Sequence, residues 1–213
     1  MAQLSVKKQR VPNSERRRSS IKSVLDSALT LFVTKGYDDT SMDDVAHAAG
    51  LTKGAVYFYF KDKLSLLDAL LERTEAELFD PIFKSDRASR GTAIERLVKI
   101  TNWFSRVGAE RPELPLLHVL VSLRMLKRDN EVAIRVARTY KRLHDEIESI
   151  ITDGRAAGEF STKTPAATQA AVYVALIDGL LLEWHRWGDT INGRDLAASA
   201  REFILYGITA TNT

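Results

Sequence analysis

Residues 40–63, TSMDDVAHAAGLTKGAVYFYFKDK, leave this chain few ways to fold. Ser41 offers a side-chain cap to a helix starting at Met42, and Asp44, three residues on, can reach back to the capping residue. Gly50 supplies the left-handed backbone position at which a helix ends without a Cβ clash, and Leu51 returns to the interior. Thr52 then caps a second helix. Val45, Ala46, Ala49, Leu51 and Val56 fall on the inner sides of the two helices, while Lys53, Gly54, Tyr57 and Tyr59 are left outside. Small groups at Ala46 and Ala49 allow a close crossing. The pattern is that of a helix-turn-helix, whose second helix can enter a DNA major groove.

Two helices this short cannot enclose a core by themselves, so the flanking segments must cover them. Ile21, Val24, Leu25, Ala28, Leu31 and Phe32 recur at helical spacing and predict an amphipathic helix over residues 15–35, stopped by Gly36, with Tyr37 packing at the junction. Residues 15–61 thus form a three-helix DNA-binding domain. Asp62 caps a longer helix with a stripe at Leu64, Leu67, Leu71 and Leu78, ending at Asp80 and Pro81. This segment, residues 62–80, reads as a connector. Residues 1–14 read as a basic flexible tail carrying Lys7, Lys8 and Arg10. Charge follows the same division. Residues 1–63 hold 11 Lys and Arg against 7 Asp and Glu, whereas the other 150 hold 20 against 21, so the attraction for phosphate is concentrated around the helix-turn-helix.

Residues 81–213 read as a second domain that begins with a polar loop over 81–91. Helical periodicity returns at Ile94, Leu97, Val98, Thr101 and Phe104, again at Leu116 to Leu123, and again from Val132 to Ile151, closed by Gly158. Thr164 and Pro165 start a helix running to about Trp187, and a last one holds Leu196, Ala200, Phe203 and Ile204. No alternating strand pattern occurs, so the fold is all α, with about nine helices. The helix after Pro165 is apolar on several sides and needs cover on several sides. A second copy of the chain would provide it, with Val174, Ile177, Leu181, Phe203 and Ile204 as interface candidates in a homodimer.

No cysteine is present, which excludes a disulfide framework or thiolate-bound metal and fits a reducing cytoplasm. The longest apolar run, AAVYVALIDGLLL, contains Asp178 and is shorter than the roughly 20 residues a bilayer requires, so no membrane segment is expected. His144 and Glu148 share a helix face, but two ligands do not make a metal site. No nucleophile elbow, phosphate-binding glycine loop or zinc-protease motif is present, so catalysis, metals and cofactors are not expected. An architectural DNA protein without a ligand is the alternative. It is disfavoured because about two-thirds of the chain is neither basic nor part of the DNA-reading module.

The first seventy residues closely resemble the TetR (tetracycline repressor) family of transcriptional regulators. The matching positions are Phe32 to Gly36, Thr40-Ser41-Met42, Val45-Ala46, Ala49 to Gly54, Val56-Tyr57, Phe60 and Lys63-Leu64. One departure is Tyr59, where the family commonly has His. The stretches GRAAGEF and ALIDGLLLEW are similar to a widespread subtype of the family's ligand and dimerisation domain. The resemblance implies phosphate contacts from Thr40, Ser41, Thr52 and Lys63, base contacts from Lys53 and Gly54, and groove contacts from Tyr57 and Tyr59. It also implies a palindromic operator, a dimer and a small-molecule effector. Trp103, Phe104, Leu117, His118, Tyr140 and Trp184 are candidates to line an apolar or aromatic effector site, with His144, Arg106 and Arg124 as further polar anchors.

Overall fold

The computed structural model describes residues 13–86, 91–188 and 190–208; the basic cluster at Lys7, Lys8 and Arg10 lies outside them. Among the described residues there are ten helices and no strand. They group into two compact units that divide between Leu70 and Leu71.

In the first unit, α1 (Asn13–Thr34) begins two residues before its expected start and buries Val24, Leu25, Ala28, Leu29 and Phe32. Residues α2 (Met42–Ala48) and α3 (Lys53–Tyr59) form the helix-turn-helix. The Ser41 hydroxyl accepts from the Asp44 amide at 3.1 Å, and the Asp44 carboxylate accepts from the Ser41 amide at 2.8 Å. Lys35 holds the same carboxylate at 2.8 Å and, with Ser41, keeps Asp44 well below the usual carboxylate range. Gly50 has φ +67°, a conformation that strains any side chain with a Cβ. Its neighbour Ala49 accepts a hydrogen bond from Ser23, tying α1 to the turn. Phe32 and Tyr37 meet edge to face with centroids 5.2 Å apart.

Helix α4 (Lys63–Leu78) is capped by Asp62, whose carboxylate accepts from the Ser65 amide at 2.8 Å. Its buried stripe is Leu66, Leu67, Leu70, Leu71 and Leu78, with Leu64 exposed. The expected stripe was thus displaced to one side at its start.

The second unit contains the rest of α4, α5 (Asp80–Asp86), α6 (Ala93–Glu110), α7 (Glu113–Met125), α8 (Glu131–Ala156), α9 (Ala166–Trp187) and α10 (Gly193–Ile208). Helix α5 lies where a loop was expected and accounts for ten helices in place of nine. Pro81 sits in its first turn, where a missing N–H breaks no intrahelical bond, and Ile82 and Phe83 are buried. Pro165 is the residue before α9 rather than its first residue.

Helix α8 runs along α9, with α6 and α7 also packed against it. Its stripe of Val132, Val136, Leu143, Ile147, Ile150 and Ile151 is buried. Gly154 permits a close approach, since a Cβ there would overlap the Phe160 ring and come within 2.7 Å of the Ala93 Cβ. The Glu159 carboxylate accepts from the Ala93 and Ile94 amides at 3.2 and 3.1 Å, satisfying free donors at the start of α6. Glu75 in α4 is bound by Thr139 at 2.6 Å and Arg135 at 3.2 Å, both on α8.

Candidate functional site

The helix-turn-helix turns one face inward and one outward. Val56 is buried, whereas Thr52, Lys53, Gly54, Tyr57 and Phe58 are exposed. The Thr52 hydroxyl accepts from the Ala55 amide at 3.2 Å. Lys53 reaches Asp43 on α2 at 2.9 Å, and its ammonium lies 5.8 Å from the Tyr57 ring centre. Donating this hydrogen bond to the Asp43 carboxylate raises the Lys53 pKa. No atom lies within 4 Å of where a Gly54 Cβ would stand, so the backbone there is open to a close approach from outside. Ser41 is exposed and Tyr59 half-buried.

Two further candidates have side chains already engaged within the protein. Thr40 is only 1% exposed, and its hydroxyl donates to the Gly36 carbonyl at 2.7 Å, so its side chain closes a turn and does not point outward. The Lys63 ammonium donates to the carbonyls of Tyr37, Asp38 and Thr40 at 2.7, 3.1 and 2.9 Å and lies 4.5 Å from the Tyr37 ring centre. Its charge is spent pinning the turn before α2, because an ammonium has three donors and all three find carbonyl oxygens. Phe58, 77% exposed, is an addition that the helical pattern did not single out. The signal was present in four consecutive aromatics, residues 57–60, which a helix cannot bury together.

The second unit encloses a cavity of about 510 Å³. Phe104, His118, Tyr140 and Trp184 line it, as expected, together with Phe79 and Tyr173. Trp103 and Leu117 do not. The Trp103 indole donates to the Leu78 carbonyl at 2.8 Å with Arg106 stacked on its ring, and Leu117 is core. The Tyr173 hydroxyl donates to the Leu97 carbonyl at 2.9 Å and lies 2.8 Å from the Thr101 hydroxyl, so its polar end is satisfied by the protein. His118 meets the Thr74 hydroxyl at 2.8 Å through Nε2 and the Phe79 ring edge to face. Burial takes its pKa down to about 3, so the ring is neutral at physiological pH. Asp178 also lines the cavity. Burial pushes its carboxyl up to about 6, partly opposed by a hydrogen bond from Tyr140. Arg106 and Arg194 line the cavity as well, and both are exposed. His144 and Arg124 are not among the lining residues.

Residues 24–70 match the family model described as "Bacterial regulatory proteins, tetR family". Residues 93–205, more than half the chain, match "BetI-type transcriptional repressor, C-terminal". The chain belongs to the TetR family. It is a DNA-binding transcriptional regulator. The crystal structure of the MbdR regulator from Azoarcus sp. CIB is 33% identical to this TetR-family chain, with a TM-score of 0.81 over 90% of this chain and 100% of MbdR. Two further structures share the fold. A transcriptional regulator from Saccharomonospora viridis in complex with choline has a TM-score of 0.76 at 22% identity, covering 93% and 100% of the two chains. FadR from Bacillus subtilis in complex with stearoyl-CoA has 0.71 at 21%, covering 88% and 98%.

The interface candidates of this TetR-family chain divide in two. Val174 and Ile204 are buried within the unit, whereas Ile177 and Leu181 line the cavity and are half-buried. Phe203 is 76% exposed, and beside it in sequence Tyr206 is 81% exposed; on α9, Val172 is exposed with Ala171 and Ala175. The apolar circumference of α9 therefore serves two purposes, a cavity wall on one side and an uncovered face on another. At 22 residues, α9 is also long and apolar enough by composition to cross a membrane, contrary to the expectation from its longest apolar run. Its cavity-lining face, with Asp178, shows what that composition serves in this fold.

Proposed function

We propose that this regulator binds a palindromic operator in the cytoplasm as a homodimer, represses transcription there, and is released by a small, largely apolar effector. The observation that carries the DNA-binding part is the outward face of α3, where Thr52, Lys53, Gly54, Tyr57 and Phe58 are all exposed around a helix held by a single buried valine. Lys53 would exchange its partner Asp43 for phosphate or a base edge, the Tyr57 hydroxyl would meet the backbone, and Gly54 would let the duplex come close. Ser41 and Tyr59 would add phosphate contacts at the edges of this surface. Lys63 and Thr40 act indirectly, by fixing the turn that sets the position of α2.

The homodimer would bury Val172, Phe203 and Tyr206 against a second copy, and would set the two α3 helices one turn of B-DNA apart, about 34 to 36 Å. The cavity supports the effector. About 510 Å³ walled by aromatic and aliphatic side chains suits a small organic molecule. Leu78, at the end of α4, lines the cavity, and Lys63, at the start of the same helix, grips residues 37–40. An effector that displaces Leu78 would shift α4 and loosen or reorient the turn before α2. Because an effector acts only through its difference in affinity for two forms, about 1 to 3 kcal/mol of coupling suffices.

The test is selection of duplexes from a random pool with the purified protein, followed by anisotropy on the enriched sequences. The expected result is an inverted repeat whose binding is lost when Lys53 and Tyr57 are both replaced by Ala. Absence of any enriched duplex, or full binding by the double variant, would refute the assignment.

A further inference from the structure

Two of the structural neighbours were solved with chemically different ligands, choline and stearoyl-CoA, so the shared fold leaves the choice of effector to the cavity wall. That wall contains one carboxylate. Asp178 sits halfway along α9 within the run AAVYVALIDGLLL, and among the described residues no Lys, Arg or His pairs with it. Its one polar partner is the Tyr140 hydroxyl, which itself also bonds Ser122. A carboxylate partly withdrawn from water without a cation is unfavourable, and this half-buried group is retained beside a cavity. Around that cavity stand the faces and edges of Phe79, Phe104, Tyr140, Tyr173 and Trp184. Aromatic walls with a single half-buried negative charge are complementary to an organic cation, which gains from ring quadrupoles and the carboxylate together.

Resting on the effector reading above, we infer that the cavity takes a cationic amphiphile, a hydrophobic amine or quaternary ammonium compound, whose positive centre pairs with Asp178 while its apolar part fills the aromatic wall. Arg106 and Arg194 argue for the opposite sign, but both are exposed, and Arg106 lies flat on Trp103. An anionic amphiphile anchored on them would lay its hydrocarbon against Asp178 and leave that charge unpaired. A cation removes the same defect.

The experiment uses the full-length protein and three probes with one tail and different heads: decyltrimethylammonium, decanol and decanoate, each below its micelle-forming concentration. Binding is read by calorimetry and by the fluorescence of Trp184. The cation should bind about tenfold or more tightly than decanol, and Asp178→Asn should abolish that preference while leaving decanol affinity within about threefold. Since the probe's charge is fixed, its affinity should also fall about tenfold between pH 7.5 and pH 5 as Asp178 takes up a proton. Of the other groups facing the site, His118 on α7 stays neutral in that range, and Tyr140 on α8 and Tyr173 on α9 are pushed further above it; the cationic side chains of Arg106 on α6 and Arg194 on α10 line the same cavity. Decanoate binding tightest, with the preference removed by replacing Arg106 and Arg194 with Gln, would overturn the inference in favour of an anionic effector. Equal binding of cation and alcohol, or an unaltered Asp178→Asn variant, would overturn it while leaving the cavity as an effector site. Failure of all three probes to bind would overturn both.

Discussion

Replacing Asp178 with Asn should make the ligand-free protein more stable. The carboxyl is raised from 3.8 to about 6 by burial, and the Tyr140 hydrogen bond offsets only part of that. An acid whose pKa is higher in the folded state favours folding when protonated. Its contribution is complete below pH 3.8 and is lost as pH rises through about 6, above which the folded protein carries the whole penalty of the half-buried charge. A shift of about 2 units at about 1.4 kcal/mol each sets an upper limit of about 3 kcal/mol. Water reaching the cavity lowers this, so a gain of about 1 to 3 kcal/mol is expected near pH 7.5. Asn keeps the shape and still accepts from Tyr140, so the substitution removes charge and little else. Linkage with these two pKa values makes about two-thirds of the gain disappear at pH 4.5. The assay is urea unfolding of both proteins at the two pH values and one fixed protein concentration, since the proposed dimer would make stability concentration-dependent. No gain at pH 7.5, or a gain independent of pH, would show that the carboxylate is already compensated and would refute the argument.

Other substitutions separate roles that the sequence pattern merges. Lys53→Ala should flatten the slope of log operator affinity against log salt by about 0.9, whereas Lys63→Met should leave the slope unchanged, since its charge already meets three carbonyls. Lys63→Met should instead lower folding stability by about 1 to 3 kcal/mol in chemical denaturation, through the loss of charged hydrogen bonds to the turn. Gly154→Ala should destabilise by about 1 to 3 kcal/mol, because α8 can accommodate the new methyl only by moving away from Phe160 and Ala93; an unchanged urea midpoint would contradict that packing. Phe203→Arg should yield monomers by light scattering with helical content retained, while Leu181→Arg, whose side chain faces the cavity, should abolish probe binding; a dimeric Phe203→Arg protein would place the interface elsewhere.

The sequence revealed the helix-turn-helix almost residue by residue. Ser41 with Asp44, Gly50, Thr52 and Asp62 with Ser65 all act on backbone groups no more than four positions away, and such interactions have the same geometry wherever they occur. The order of helices was legible for the same reason, apart from α5, whose polar second half hid the buried Ile82 and Phe83. The cavity lining was half legible. Phe104, His118, Tyr140 and Trp184 were recognisable as aromatic or polar groups on apolar helices, but nothing local separated them from Trp103 and Leu117, which pack elsewhere.

What only the tertiary structure decided are matters of partner and direction. Helical periodicity assigned α9 an apolar surface but not which part of it faces the cavity; the structure puts Ile177 and Leu181 on the cavity wall and Val172 on the outside, with Tyr206 of α10 also exposed. Lys63 and Thr40 had the right chemistry for phosphate and were spent on carbonyl groups that the chain brings to them. Asp178 read as a mere interruption of an apolar run until Tyr140, 38 positions earlier, was seen to be its neighbour. Backbone capping is fixed by a few adjacent residues, whereas the environment of a side chain depends on which distant helices close over it, and many arrangements satisfy the same 3.6-residue period.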